Sequence, residues 1–315
     1  MVKNITGKAI LIFVLSSSFY LYEFLLQVAP SVMAANIMSD FGVSAPGFAL
    51  ISAFYFYSYA PMQMPAGILF DRYGPSKLIS LALLICALGC CFFASTSSVI
   101  MAAFGRLLIG FGSAFSFVGI LILVARWFPA NKFALFVGIA QLLASVGAIC
   151  GESPLALLLP LYGWRASTFA LAILGGILSF LVWRFVEDSP NDESPNASEM
   201  TTTWRREWGN VKQVCKDKQT WWIALYSFCS WIPMAIFASL WSIPYLTTVY
   251  QVSIIHAANL SALLWIGVGI GSPLIGWLSD HFQNRRWPLL ISLILALVSS
   301  LILICIPNLN LWMLS

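Results

Sequence analysis

The chain has 315 residues, 60% of them apolar and only 9% charged, with a formal net charge of +4. A soluble domain carries about a quarter charged residues to cover its surface, so a water-soluble globule is excluded and an all-α protein embedded in a lipid bilayer is expected. The basic residues lie scattered in short loops, which excludes a nucleic-acid-binding face.

A bilayer-spanning helix takes about 20 mostly apolar residues. In chain order the apolar runs fall near 9–34, 47–70, 78–96, 98–125, 133–160, 166–186, 220–247, 256–279 and 288–306, which makes nine spans. Lys3 and Lys8 precede the first run as they would in a signal peptide. That run is too long for one, holds Glu23 and is followed by more spans, so it reads as a first transmembrane helix. Lysine and arginine set the orientation. With the N-terminus in the cytoplasm, the inner loops carry Lys3, Lys8, Arg72, Lys77, Arg126, Lys132, Arg184, Arg205, Arg206, Lys212, Lys216, Lys218, Arg285 and Arg286. The outer loops carry only Arg165, and Arg106 lies within a span. The expectation is a multi-pass protein of the cell membrane, with residues 187–219 on the cytoplasmic side.

The first span carries Ser16, Tyr20, Glu23 and Gln27 at helical spacing, one polar stripe that should face water or a partner rather than lipid. A charge at mid-bilayer costs about 2.5–3.5 kcal/mol and usually has a partner or a watery cavity. At 1.5 Å per residue Glu23 sits roughly 21 Å from the cytoplasmic edge and Arg106, entering from the other side, roughly 16–18 Å from it. Long side chains bridge that difference. The pair reads either as a cavity-facing site or as an ion pair that holds the first and fourth spans together.

Between the second and third spans runs Gly67-Ile68-Leu69-Phe70-Asp71-Arg72-Tyr73-Gly74-Pro75-Ser76-Lys77. Asp71 closes the end of the second span, where a carboxylate can cap a neighbouring helix N-terminus and accept from Arg72 or Lys77. Gly67 and Gly74 permit a close approach and a tight turn. Between the eighth and ninth spans a second copy matches at Gly276, Leu278, Asp280 and Arg286. Charged turns recurring between apolar spans indicate an internal duplication. The first copy resembles the signature loop of the major facilitator superfamily, G-x-L-x-D-R-x-G-x-x-K/R. Gly105-Arg106-Leu107-Leu108-Ile109-Gly110-Phe111-Gly112-Ser113-Ala114 resembles the helix-four motif of the same family. The second copy departs from the pattern, with His281 for Arg and Gln283 for Gly.

The resemblance implies a transporter built from two six-helix halves. It makes Gly67, Asp71, Arg72, Gly74 and Lys77, and more weakly Asp280 and Arg286, a cytoplasmic latch that opens during alternating access. It also places the fourth span on a central cavity with the first, seventh and tenth. The organisation expected is a complete six-helix bundle over 1–186, a cytoplasmic linker over 187–219 and a partial second bundle over 220–315. Within the linker, Trp204, Trp208, Val211 and Cys215 recur at helical spacing beside basic residues, which suits either a helix on the inner membrane surface or a plain basic linker. The tenth to twelfth helices of the family pattern do not follow, so the chain reads as a fragment or a truncated product, and transport by it alone is not expected.

Glu152 stands where the family's helix-five motif has Pro, while Gly147 and Gly151 keep its spacing, which weakens an antiport reading and suits helix packing. In the seventh span Trp231, Trp241, Pro244 and Tyr245 either line a solute path or form an interfacial belt. The seven cysteines show no metal-type spacing and read as free thiols. There is no catalytic constellation and no Gly-rich loop with Lys-Ser/Thr, so neither an enzyme nor a nucleotide site is expected, and no cofactor. The resemblance implies a secondary or facilitative transporter of a small organic solute, often with proton coupling. Glu23 and Arg106 suggest an amino acid, dipeptide or organic anion, with Tyr20, Gln27, Trp241 and Tyr245 beside them. A weaker resemblance is to the branch of lysosomal dipeptide transporters and their bacterial relatives. The rival readings are a non-transporting membrane sensor or assembly partner, and an inactive truncated transporter.

Overall fold

The computed structural model describes residues 6–189, 213–281 and 286–305, and among these the regular structure is entirely helical. The helices are α1 (Gly7–Phe41), α2 (Ala45–Tyr73), α3 (Pro75–Ser95), α4 (Val99–Ser113), α5 (Ser116–Trp127) and α6 (Phe133–Phe185). After the linker come α7 (Lys218–Ile232), a π-helical stretch Pro233–Trp241, α8 (Ser242–Val249), α9 (Ile254–His281) and α10 (Arg286–Cys305). The fourth expected span is α4 and α5 together. The fifth and sixth are the two arms of α6, which break at Gly163 with φ 76°. The seventh is α7 through α8, with the π-helical turns between them.

Among the described residues, six helical stretches are long and apolar enough to cross a membrane, Gly7–Phe41, Pro75–Ser95, Val99–Trp127, Leu135–Phe185, Lys218–Val249 and Ile254–Ile275. The 29-residue α2 is diluted by Ser52, Tyr55, Ser58, Tyr59 and Gln63, which is the first sign that it faces something other than lipid. Helix α1 runs seven residues past the expected end at 34, to Phe41. Its last turn, Ile37-Met38-Ser39-Asp40-Phe41, is polar enough to leave the apolar layer while remaining helical, and Gly42 ends it in the left-handed region at φ 60°.

The chain divides into two compact units, Met1–Pro190 with Ser239–Pro273, and Asn191–Ala238 with Leu274–Ser315. In the first, α1 packs along α6, α3 packs between α4 and α6, and α2 packs on α4. The end that holds Asp40 and Thr96 is tied by polar bonds. Trp164 Nε1 donates to Asp40 Oδ2 at 2.8 Å, and Arg165 Nη1 donates to the carbonyls of Ala94 and Thr96 at 2.8 and 2.6 Å. Residues 239–273 belong to this unit because Gln27, Phe48 and Glu152 all find partners in them. In the second unit Tyr226 Oη and Ser292 Oγ lie 3.2 Å apart, joining α7 to α10. No residue of α7 is buried, and its exposed face presents Trp221, Trp222, Ile223 and Phe228, a surface that lipid rather than water would cover. The suggested surface helix near 204–216 lies outside the described residues, apart from its last turn, 213–216.

Candidate functional site

Glu23 and Arg106 are both buried in the first unit, at 0% and 3% exposure. No ion pair joins them among the described residues. Tyr55 of α2 stands between them instead. Its hydroxyl donates to Glu23 Oε1 at 2.5 Å, and the guanidinium of Arg106 lies over its ring, 4.9 Å from the centroid. The expected direct contact therefore becomes a relay through an aromatic ring. It depends on how closely α2 and α4 approach. A Cβ at Gly110 would overlap the carbonyl of Tyr55, so only glycine allows the two backbones to meet there. Arg106 Nη1 donates to the carbonyl of Leu26 at 3.0 Å, while its Nε and Glu23 Oε2 have no protein partner. Among the described residues no carboxylate faces this buried guanidinium, a costly arrangement.

The rest of the helix-one stripe is engaged across the same interior. Tyr20 Oη donates to Gln141 Oε1 at 3.1 Å, and its ring meets Phe24 edge to face and Phe117 at a tilt. Gln27 Nε2 donates to Ser239 Oγ at 3.2 Å. Trp241 is half-buried and meets Phe48 edge to face, 6.0 Å between ring centroids. Tyr245 is half-buried beside Tyr250, 5.9 Å between ring centroids. Glu152 is fully buried, and its Oε1 accepts from Ser261 Oγ at 3.0 Å and Trp265 Nε1 at 3.1 Å. Simple helix packing, the expected use of this segment, holds for Gly147 and Gly151, which lie against the backbone of α1 at Leu21 and Leu25. Glu152 does more than pack.

The signature loop forms a sharp corner. Gly74 takes φ 80°, its N–H closes α2 on the Phe70 carbonyl, and Pro75 starts α3. The carboxylate on the first turn of α3 is Asp188, which accepts from the Ser76 backbone N–H at 2.7 Å, and Ser76 Oγ donates to the Val186 carbonyl at 2.7 Å. The first turn of α3 is thus capped by a residue that follows the end of α6. A Cβ at Gly74 would overlap that carboxylate. Lys8 pairs with Glu187 in the same cluster, and Trp127 Nε1 donates to the Glu187 carbonyl at 3.1 Å. Asp71, Arg72 and Lys77 are exposed, and the Arg72 guanidinium lies 5.5 Å from the Tyr73 ring centroid. Gly67 has nothing within 4 Å of where a Cβ would stand, so the close approach expected there is absent among the described residues. In the second copy Asp280 falls in α9 and Arg286 begins α10, but residues 282–285 and the side chains of Asp280 and Arg286 lie outside what is described.

Tyr55, Gln141, Asp188, Ser261 and Trp265 were not among the residues singled out from sequence. A signal existed for Tyr55 and Gln141, since each is a hydrogen-bonding group within a membrane span. Asp188 carries no such signal, since it lies among several acids of a polar stretch, with Glu187, Asp192 and Glu193 beside it.

A helical membrane protein with paired polar helices around a buried arginine is thus the class that fold and site define. The chain belongs to the Major Facilitator Superfamily, whose model matches residues 9–315. It is 23% identical to the "Probable sulfoacetate transporter SauU" of Cupriavidus necator, over 84% of this chain and 64% of that protein. It is 24% identical to the "Hexuronate transporter" of Bacillus subtilis, over 84% of this chain and 62% of that protein. The chain therefore spans less than two thirds of the length of these relatives. Its fold is also that of a bacterial homolog to the human lysosomal transporter Spinster, crystallised in an inward-facing and unoccupied conformation. That structure has a TM-score of 0.74 at 18% identity and covers 98% of this chain and 72% of its own.

Proposed function

We propose that this chain forms the solute-binding part of a secondary transporter for a small organic anion, one that carries a carboxylate or a sulfonate. One observation carries the reading. Arg106 is buried with Nε unpartnered and no facing carboxylate among the described residues, and its guanidinium is fixed by the Leu26 carbonyl and the Tyr55 ring. A planar guanidinium held this way matches an anionic group through two parallel hydrogen bonds. The names of the relatives support the class, because sulfoacetate and hexuronates are both small organic anions. They favour an organic anion over a dipeptide or a zwitterionic amino acid.

In this reading Tyr20, Gln27 and Trp241 shape the cavity, and Glu23 is the group that exchanges a proton as solute enters, its carboxyl linked to Arg106 through Tyr55. Asp71, Arg72, Lys77, Asp280 and Arg286 belong to the cytoplasmic latch. The functional division is a six-helix bundle over 1–186, a cytoplasmic linker over 187–219 and a second bundle from 220 onward, with the membrane orientation set by the basic loops.

The test uses the purified chain in detergent or nanodiscs, with sulfoacetate and a hexuronate as probes. Binding at about a hundredfold excess over Kd stabilises a protein by about 2.7 kcal/mol, so the wild-type melting temperature should rise with at least one of them. Arg106→Gln should show no rise. Equal stabilisation of Arg106→Gln, or none of the wild type by either anion, would sink the reading.

A further inference from the structure

Among the described residues, no group around Glu152 balances a negative charge. Glu152 lies in the first arm of α6 with 0% exposure, and Ser242 of α8 and Ser261 and Trp265 of α9 are at 0%, 1% and 0%. Both donors, Ser261 Oγ and Trp265 Nε1, converge on Oε1, and Oε2 has no partner. Ser242 Oγ sits 2.7 Å from Ser261 Oγ, and Phe24 of α1 meets Trp265 edge to face at 5.6 Å between centroids, which closes the pocket with neutral groups.

The titratable groups on the surrounding elements are engaged elsewhere or exposed. On α1, Tyr20 bonds Gln141, Tyr22 bonds the Leu171 carbonyl and Glu23 bonds Tyr55. On α4, Arg106 bonds the Leu26 carbonyl. On α6 Cys150 is half-buried, on α8 Tyr245 faces Tyr250, and on α9 His256 is exposed. No salt bridge reaches Glu152 among the described residues. A bare carboxylate with one orphan oxygen in such a place is far more costly than the neutral acid, whose carbonyl oxygen accepts the two bonds observed.

The chain positions joined here are also far apart in sequence. Glu152 belongs to the six spans before the linker, and Ser242, Ser261 and Trp265 come after it. The contact continues along one face of α6, where Ser145 is buried with its hydroxyl unpartnered, and a Cβ placed at Gly269 of α9 would lie 3.2 Å from the Ser145 Cβ.

We propose that Glu152 is a proton-binding site, distinct from Glu23, whose protonated form holds α8 and α9 against α6 and whose ionised form releases them. The proton resides on Oε2 and exchanges with bulk water once the helices part. This rests on the transport reading only in what the closure would serve, since such a site couples one proton to the closing of one face of the carrier.

The test needs no solute. In the purified chain, Ser145→Cys with Gly269→Cys reports the α6–α9 contact by disulfide formation. The Cβ separation is within reach of that bond after a small adjustment. Ser80→Cys with Ser179→Cys, whose native hydroxyls lie 3.3 Å apart between α3 and α6, serves as a reference pair for the pH dependence of the thiol chemistry. Relative to the reference, cross-linking should fall as pH rises through the titration of Glu152, approaching about tenfold per pH unit for a single linked proton. With Glu152→Gln, a permanently neutral group that still accepts from Ser261 and Trp265, the ratio should stay high and flat. A ratio that is flat in the wild-type background, or that still falls in Glu152→Gln, overturns the proposal. If Glu152→Gln does not accumulate, the wild-type ratio alone decides. Failure of the anion-binding test at Arg106 leaves this experiment unaffected, so the two readings fail separately.

Discussion

Two fully buried glutamates lie in one compact unit and are treated in opposite ways. Glu23 shares its surroundings with a cation. Tyr55 links it to Arg106, and all three sit on α1, α2 and α4, elements close together in the chain. Glu152 meets only neutral donors, and those come from α9, beyond the linker. The same residue type therefore serves two ends. Near Glu23 an aromatic ring and its hydroxyl lie between the acid and a buried guanidinium. Near Glu152 the hydrogen bonds join segments remote in sequence. Burial alone does not distinguish these surroundings, but the origin of the hydrogen-bond donors and the group that lies beyond them do.

The comparison can be broken most severely at Gly110. A side chain there would strike the Tyr55 carbonyl, where no flexible group can give way. Gly110→Leu should abolish accumulation of folded protein in the membrane, measured by fluorescence-detected size exclusion. Normal accumulation would mean that α2 and α4 do not need their close approach. Next in size is Tyr55→Phe. It keeps a ring beneath Arg106 but leaves Glu23 with neither oxygen partnered, at a cost of about 1–3 kcal/mol, and should lower the melting temperature clearly.

Trp265→Phe sharpens the contrast, because Glu152 keeps its bond from Ser261. Its loss should be about 0.5–1.5 kcal/mol, and a drop as large as that of Tyr55→Phe would show that the two acids depend on their donors equally. The smallest change falls outside both regions. Asp188→Asn retains an acceptor for the Ser76 N–H but removes the charge facing the α3 N-terminus, a difference of about 0.3–1 kcal/mol. This variant should melt only slightly below wild type, and less so at high salt. A shift that ignored salt would mean the charge at Asp188 contributes nothing.

Much of the fold was legible in the sequence because a bilayer imposes a simple rule. Runs of about 20 apolar residues between basic loops marked the helices, and the repeat of Gly67–Lys77 near 276–286 pointed to the family. The helix-one stripe was legible for the same reason, since Tyr20, Glu23 and Gln27 have no place facing lipid. The relay through Tyr55 was not, because depth along the membrane normal brings Glu23 and Arg106 to similar heights without saying what lies between them. Which acid would cap α3 was also hidden. Asp71 is near in sequence, whereas Asp188 is 112 residues from Ser76 and arrives only through the packing of α6 on α3. The partners of Glu152 were beyond reach for a similar reason, because Ser261 and Trp265 are 109 and 113 residues away.

The bond from Asp188 to the corner at Gly74 and Ser76 also has a consequence for biosynthesis. The corner is made early, when the second and third helices leave the ribosome, but its carboxylate is supplied by a residue synthesised 112 positions later. Until then the first turn of α3 has an uncapped N–H, and the ends of α2 and α3 lack the clamp to α6. The bond that fastens this corner to the chain beyond α6 can therefore form only once residue 188 has been made. A chain stalled before that point would lack the fastening. The residues after α6 are in this sense the closing stitch of the bundle that precedes them.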